Sequence, residues 1–211
     1  MTNGGWVGKR NVLGVDGYSG VYSMREVADA VREGVIFFNE DTFNSDSTAQ
    51  YTQFSDAPGT WAIAGGELVA TGGTQSVFIR NGTSFTNVVI ESDANHIHDG
   101  GLILRFIDNS NYYLLRLGDD SGPNAAQNVT LFKRVSGTFT SMGTVNIAWA
   151  RGSSKKIRLS AVGTTLAAAV DGTVLISITD SALAGPGGVG MRNNLAGQQS
   201  KYQAFRWAEM A

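Results

Sequence analysis

From Asp41 onward the hydrophobic and polar positions of the chain alternate with period two. Runs at 85–91, 101–106, 112–117, 129–134, 156–161, 166–170 and 173–178 are rich in β-branched, leucine and aromatic residues. In the run at 156–161, Lys156, Arg158 and Ser160 fall on one side and Ile157, Leu159 and Ala161 on the other. That is the pattern of a strand with one buried face. Turn signals separate the runs: Asp108-Asn109-Ser110-Asn111, Ser136-Gly137, Asp171-Gly172 and Gly185-Pro186-Gly187-Gly188. Asp171-Gly172 is the strongest, because a type I′ hairpin needs positive φ at both central residues. About a dozen short strands, with turns roughly every 8–12 residues, predict an all-β sandwich or barrel over residues 40–211. There is no internal repeat of fixed length.

Residues 1–39 read differently. Gly4-Gly5-Trp6-Val7-Gly8-Lys9-Arg10 is too glycine-rich for a helix or a stable strand. One short helix is predicted near 23–33. Ser23-Met24-Arg25-Glu26 is a capping box, Met24, Val27 and Val31 form a one-sided apolar stripe, and Gly34 stops it. Three turns with one apolar face are not stable alone in water. With the apolar run Val35-Ile36-Phe37-Phe38, this segment reads as an arm that needs a partner. The chain therefore divides into an arm, 1–39, and a β domain, 40–211.

Composition narrows the classes. A chain of 211 residues without cysteine suits one domain with an appendage and buries a core without staples. The missing cysteines exclude a disulfide framework, a thiolate zinc site and a cysteine nucleophile. The 27 glycines are nearly twice the usual share of roughly 7%, while charged residues are 16% against about 25%. That balance indicates many tight turns rather than disorder. A net charge of -2 lacks the Lys/Arg surplus of a nucleic-acid binder. No apolar run approaches the roughly 20 residues of a bilayer span, so no membrane insertion is expected. The start, Met1-Thr2-Asn3-Gly4-Gly5-Trp6, lacks the basic and apolar stretches of a secretory signal. A soluble, loop-rich protein is expected.

Read in order, the β domain resembles the concanavalin-type lectin/glucanase jelly roll in its laminin-G-like branch. Asp41-Thr42-Phe43 is similar to that family's D-x-F opening, and the segment from Trp61 to Leu68 to its W-x-I-x-G-G-x-L hairpin. Gly101 to Phe106 followed by Asn111-Tyr112-Tyr113 is similar to the G-G-L-x-x-R … N-Y-Y element. Leu131-Phe132-Lys133-Arg134 with Gly137 supplies an L-x-K … G step, and Leu166 to Gly172 the L-x-x-x-V-D-G hairpin. Gly188-Val189-Gly190-Met191 and Tyr202-Gln203-Ala204-Phe205 resemble the closing strands, although Gln203 and Ala204 stand before Phe205 where the family often has an aspartate. The resemblance implies a two-sheet antiparallel jelly roll. The arm resembles something else: Gly4 to Asn11, followed by Ser19 to Glu26, is similar to the N-terminal segment of many tailed-bacteriophage virion proteins.

Candidate chemistry is sparse. The glucanase branch carries E-x-D-x-x-E on one strand, whereas here Glu91-Ser92-Asp93-Ala94-Asn95-His96 has His96 in place of the second glutamate. A retaining pair of carboxylates about 5–5.5 Å apart is thereby incomplete, and no catalytic residue is assigned. His96-Ile97-His98-Asp99 is the one metal-like string, since residues two apart share a strand face, but Asp99-Gly100-Gly101 is a turn. The Asp108-Asn109-Ser110-Asn111 and Asp119-Asp120-Ser121-Gly122 loops could supply calcium ligands and also read as plain turns. No metal and no cofactor are expected. Trp61, Trp149, Tyr112 and Tyr113 could serve as sugar platforms, but aromatics in a sandwich are mostly core, and Trp149 resembles a structural position of the family.

Binding is what remains. Trp6 among glycines, with Lys9 and Arg10 beside it, has the composition of an interface anchor, and Met24, Val27 and Val31 give the arm an apolar face. The two resemblances together imply a non-enzymatic bacteriophage virion protein, assembled in the host cytoplasm. The arm would bind other virion proteins and the jelly roll would face outward. A tail-fibre-like or receptor-binding component, trimeric and able to bind host surface glycans, is the first expectation. A capsid decoration protein that stabilises the head shell is the alternative.

Overall fold

The computed structural model of the chain describes residues 6–12, 19–23, 37–96, 99–118, 127–149, 153–194 and 199–210. Among them are seventeen strands. The first seven are β1 (Trp6–Val12), β2 (Ser19–Ser23), β3 (Phe37–Asp41), β4 (Tyr51–Phe54), β5 (Thr60–Ala64), β6 (Glu67–Thr71) and β7 (Ser76–Arg80). Next come β8 (Val88–His96), β9 (Gly100–Asp108), β10 (Asn111–Gly118), β11 (Gln127–Val135) and β12 (Thr138–Ile147). The last are β13 (Lys155–Val162), β14 (Thr165–Val170), β15 (Thr173–Thr179), β16 (Gly188–Asn193) and β17 (Gln199–Glu209). A single 3-10 turn, Thr48–Gln50, is the helical element described.

Two antiparallel sheets make the sandwich. One has seven strands in the order β12-β11-β10-β9-β16-β7-β4. The other has ten, with the path β15-β14-β13-β8-β17-β3-β1-β2 and the β5–β6 hairpin joined through β17. The predicted two-sheet jelly roll is what the chain forms. Its core lies between the sheets, with Ile90, Leu159 and Leu166 on one side and Leu102, Leu115, Leu131 and Met191 on the other. Each such side chain, wholly removed from water, stabilises the fold by roughly 1.5–3 kcal/mol.

Local chemistry accounts for the turns. Asp171 and Gly172 have φ of 48° and 80° and join β14 to β15 with Val170 opposite Thr173, as the type I′ expectation requires. Ser136 and Gly137, at 50° and 79°, do the same between β11 and β12. Gly65 and Gly66 close the β5–β6 hairpin that Trp61 to Leu68 suggested.

The N-terminal reading needs one correction. The glycine-spaced segment taken as unable to hold a strand contains β1, which pairs with β2 and places Asn11 opposite Phe38 of β3. Ladder hydrogen bonds depend on the backbone, and Gly8 keeps its amide and carbonyl despite contributing no side chain. β3 in turn pairs with β17, so residues 39 and 40, where arm and domain were divided, both lie within a strand of the ten-stranded sheet. Ser23 is the last residue of β2; the rest of the helix predicted near 23–33 lies outside the described residues, and with it Met24, Val27 and Val31.

Candidate functional site

Strand alternation gives the seven-stranded sheet a second, outward face. Along β10, Tyr113, Leu115 and Leu117 enter the main core, while Tyr112 and Leu114 belong to a separate cluster with Val77, Ile79, Ile103 and Phe106. Phe132 of β11 and Phe139 of β12 pack against that cluster. Arg134, opposite Tyr112 and Phe139 in register, lies 5.0 Å from the Phe139 ring centroid and is tied to Asn109 O and to Asp56. Tyr112 is buried and its hydroxyl has no hydrogen-bond partner among the described residues. Burial raises its pKa, against the opposing charges of Arg192 and Arg134.

On this face lies a cavity of about 180 Å³ lined by Gln75, Asp99, Leu114, Arg116, Phe132, Phe139 and Arg192. Its geometry follows from register. Gly101 of β9 stands opposite Arg116 of β10 on one edge and opposite Arg192 of β16 on the other. With neighbouring strands roughly 4.8 Å apart, the two arginine backbones are about 10 Å apart, with a glycine between them. Arg192 is 3% exposed; its Nε donates to Gln75 Oε1 at 2.8 Å and its Nη1 to Asp99 O and Oδ1 at 3.1 and 3.2 Å. Arg116 Nε donates to the same Asp99 Oδ1 at 2.5 Å, and Asn194 Nδ2 donates to Asp99 Oδ2 at 2.7 Å. Gln75 and Asp99 both hold left-handed backbone, with φ of 46° and 44°. Such conformations cost of order 1–3 kcal/mol for residues other than glycine and gather where a site needs a side chain aimed in one direction.

Burial pushes the Asp99 carboxyl up, but the Arg192 and Arg116 charges and the bonds from Arg116 and Asn194 outweigh it and hold its pKa below the usual carboxylate range. A folded-state value below the unfolded one, about 3.9, gives stability that is present above the unfolded value and lost as pH falls through the folded one. Melting temperature should therefore drop steeply in acid. Asp180, where bonds from Lys133 and Tyr113 likewise outweigh burial, contributes to the same fall. Asp99→Asn should melt lower at pH 7 and show a shallower acid limb by circular dichroism. Parallel acid limbs for the two proteins would show that Asp99 does not contribute.

The structure separates the residues expected to matter. Glu91 and Asp93 lie on β8 of the ten-stranded sheet, on the side opposite core residues Ile90 and Ala94. Arg158 Nε donates to Glu91 at 2.7 Å, and Arg206 donates to both Glu40 and Asp93 at 2.7 Å. The glucanase-like string thus supplies a cross-strand ion-pair ladder. The His96 side chain, Ile97 and His98 lie outside the described residues, as do Asp119 to Gly122. The Asp108 carboxylate accepts from Ser110 N and Asn111 Nδ2, the bonding of a turn. Among the described residues no three His, Asp or Glu side chains gather as metal ligands. Also among them, no helix is long and apolar enough to cross a membrane. Trp149 is core and its Nε1 donates to Ser153 O at 2.9 Å; Trp61 stacks on Phe78 with centroids 4.9 Å apart. Trp6, Lys9 and Arg10 share β1, whose backbone alone is described. None of the cavity-lining residues was singled out as a binding residue from sequence. The signal was an arginine inside an otherwise apolar run, Leu114-Leu115-Arg116-Leu117.

Comparison with solved structures bears on the whole architecture. The carbohydrate-binding module CBM66 of Bacillus subtilis matches with a TM-score of 0.56 at 19% identity, over 76% of this chain and 92% of that one. The fold is a concanavalin- and galectin-like β-sandwich. Bacillus licheniformis β-glucanase matches with a TM-score of 0.62 at 12% identity, over 82% of this chain and 98% of that one. The CBM2 module of the evolved Dit from Lactobacillus casei BL23 phage J-1 matches at 0.56 and 15%, over 81% and 94%. No family model and no curated protein matches the sequence. At these identities the likeness is one of fold, and the fold is shared by binding modules and hydrolases alike.

Proposed function

We propose that this chain is a non-enzymatic glycan-binding component of a bacteriophage particle. Residues 1–39 attach it to other virion proteins, and the sandwich is displayed in tail-fibre or receptor-binding fashion, as a homotrimer. The observation that carries the glycan reading is the cavity on the outer face of the seven-stranded sheet, in a fold that carbohydrate-binding modules also use. Apolar walls with a few fixed polar groups are the usual make-up of a small-molecule site. The phage reading is supported by the likeness to the phage J-1 Dit module and by the resemblance of the arm to virion N-termini. The engagement of Glu91 and Asp93 with arginines favours binding over hydrolysis.

A paired test separates the two halves of this reading. Purified protein should adsorb to host cells, with isolated cell-wall polysaccharide competing; adsorption indifferent to the polysaccharide would remove the glycan half. Trp6→Ala should weaken incorporation into particles by about thirty- to a thousand-fold in affinity, the loss of a hot-spot aromatic, with little change in melting temperature. A sharp fall in melting temperature with normal incorporation of the folded fraction would make the Trp6 side chain part of the domain's own packing and end its role as an anchor.

A further inference from the structure

We propose that the Phe139 ring roofs the sugar site in the free protein, and that a sugar ring displaces it to reach the Tyr112 hydroxyl. This rests on the glycan reading and deepens it, assigning the residue that covers the site and the group that waits for the ligand. Tyr112, Arg134 and Phe139 form one row across β10, β11 and β12 on the outer face of the seven-stranded sheet. Two strand spacings, roughly 10 Å, separate the Tyr112 and Phe139 backbones. Their ring centroids are only 6.2 Å apart, edge to face, so Phe139 leans inward across Arg134. From the other side Arg192, rooted on β16 four strands from β12, brings its guanidinium to 5.8 Å from the Phe139 ring. Side chains rooted roughly 19 Å apart thus meet over the face. Phe139 is a wall of the cavity and Tyr112 is not. The Phe139 ring stands between them.

Of the two halves of this roof, Arg192 is fixed by its bonds to Gln75 and Asp99. Phe139 is half-buried, sits on the end strand of its sheet, and is held by ring contacts with Phe132, Tyr112 and the arginines. One rotation about its first side-chain torsion carries it to another staggered well and opens the roof. Beneath lies Tyr112, wholly buried, its hydroxyl bonded to no described residue. Arg134, opposite it, gives its bonds to Gly137 O, Asn109 O and Asp56. Buried polar groups are nearly always bonded, and a phenylalanine would fill the same place without that cost. A hydroxyl left alone here points to a partner that the closed roof keeps out. A phenolic hydroxyl both donates and accepts, as a sugar hydroxyl does. A sugar ring, close to a phenyl ring in size, can take the Phe139 position against Phe132 and Leu114 and bond Tyr112 through its edge. Because the roof must open first, binding to the free protein is weakened in proportion to the closed fraction.

The test compares full-length variants for affinity to the isolated host cell-wall polysaccharide and for melting temperature. Tyr112→Phe should melt no lower than wild type, since the free protein loses no bond, and should bind about three- to tenfold more weakly, the loss of one hydrogen bond to the ligand. Phe139→Ala should bind about three- to tenfold more tightly, because no ring has to leave the site. Phe139→Leu, which keeps most of the packing, should fall between wild type and the alanine variant and serves where alanine does not fold. A Tyr112→Phe protein that melts lower would show that its hydroxyl is already bonded in the free protein. One that binds as wild type would show that the ligand never reaches the hydroxyl. Phe139 variants that bind no more tightly than wild type would make Phe139 a wall of the site and not its cover. Each of these overturns the proposal and leaves glycan binding standing. Wild-type protein that fails to bind the polysaccharide overturns the glycan reading, and the roof with it.

Discussion

Arg105→Met should lower the melting temperature by about 6–20 °C. Arg105 is inaccessible to solvent. A register shift on both sides of β9 turns its backbone to a φ of 50° and moves its side chain off the outer face. Its guanidinium donates to Thr86 O at 2.6 and 2.9 Å, to Leu183 O at 3.2 Å and to Gly163 O at 2.5 Å. Burial lowers its pKa, yet arginine stays charged at any physiological pH. It works as a clamp on three separate connecting segments. Methionine keeps an apolar stem and leaves three carbonyls, that of buried Leu183 among them, without this donor. Breaking such a charge-centred network costs about 3–5 kcal/mol, and for a chain of this size each kcal/mol is worth roughly 2–4 °C. Arg105→Lys should also fall short, since one ammonium cannot reach all three carbonyls. A methionine variant melting within about 2 °C of wild type would show that water replaces the clamp.

Gly101→Ala should prevent folding or cost more than about 4 kcal/mol, the range in which single substitutions are exceptional. A Cβ there would stand 1.8 Å from Leu115 O and 2.9 Å from Leu115 C, both backbone atoms of the neighbouring strand, at a φ of 147°. No side-chain rotation relieves a clash between two backbones; β9 and β10 would have to separate. The Gly101 amide also donates to the Tyr202 hydroxyl at 3.0 Å, a bond that the displaced strand would break. Gly172→Ala is the comparison. It too has positive φ, but nothing lies within 4 Å of the added carbon, so the cost should be only about 1 kcal/mol. Chemical denaturation of both variants distinguishes the effects. Equal stabilities would mean that the backbone at 101 relaxes freely.

The two arginine positions link these results to the cavity. The bulge that sends Arg105 inward and the glycine that lets β9 lie close to β10 belong to one strand. That strand sets Arg116 and Arg192 on either side of Gly101. Loss of either device would disturb the cavity as well as the core.

What the chain declares by itself is periodic and local. The runs at 101–106, 112–117, 129–134, 156–161, 166–170 and 173–178 all lie in strands, and 85–91 enters one at Val88, because side chains two apart must share a face. Asp171-Gly172 declares its hairpin because few residues tolerate two successive positive φ values. Thr138–Ile147 escaped notice, being an edge strand whose threonines, serine and asparagine blur the alternation. β1 escaped because glycine lowers strand propensity without removing a single ladder hydrogen bond. Glu91 and Asp93 showed as carboxylates two apart, but only pairing with β13 and β17 set Arg158 and Arg206 beside them. The cavity belongs wholly to tertiary structure. Gln75, Asp99, Arg116 and Arg192 come from four distant stretches, and sheet order, a long-range outcome of core packing, is what brings them within hydrogen-bond distance of one another.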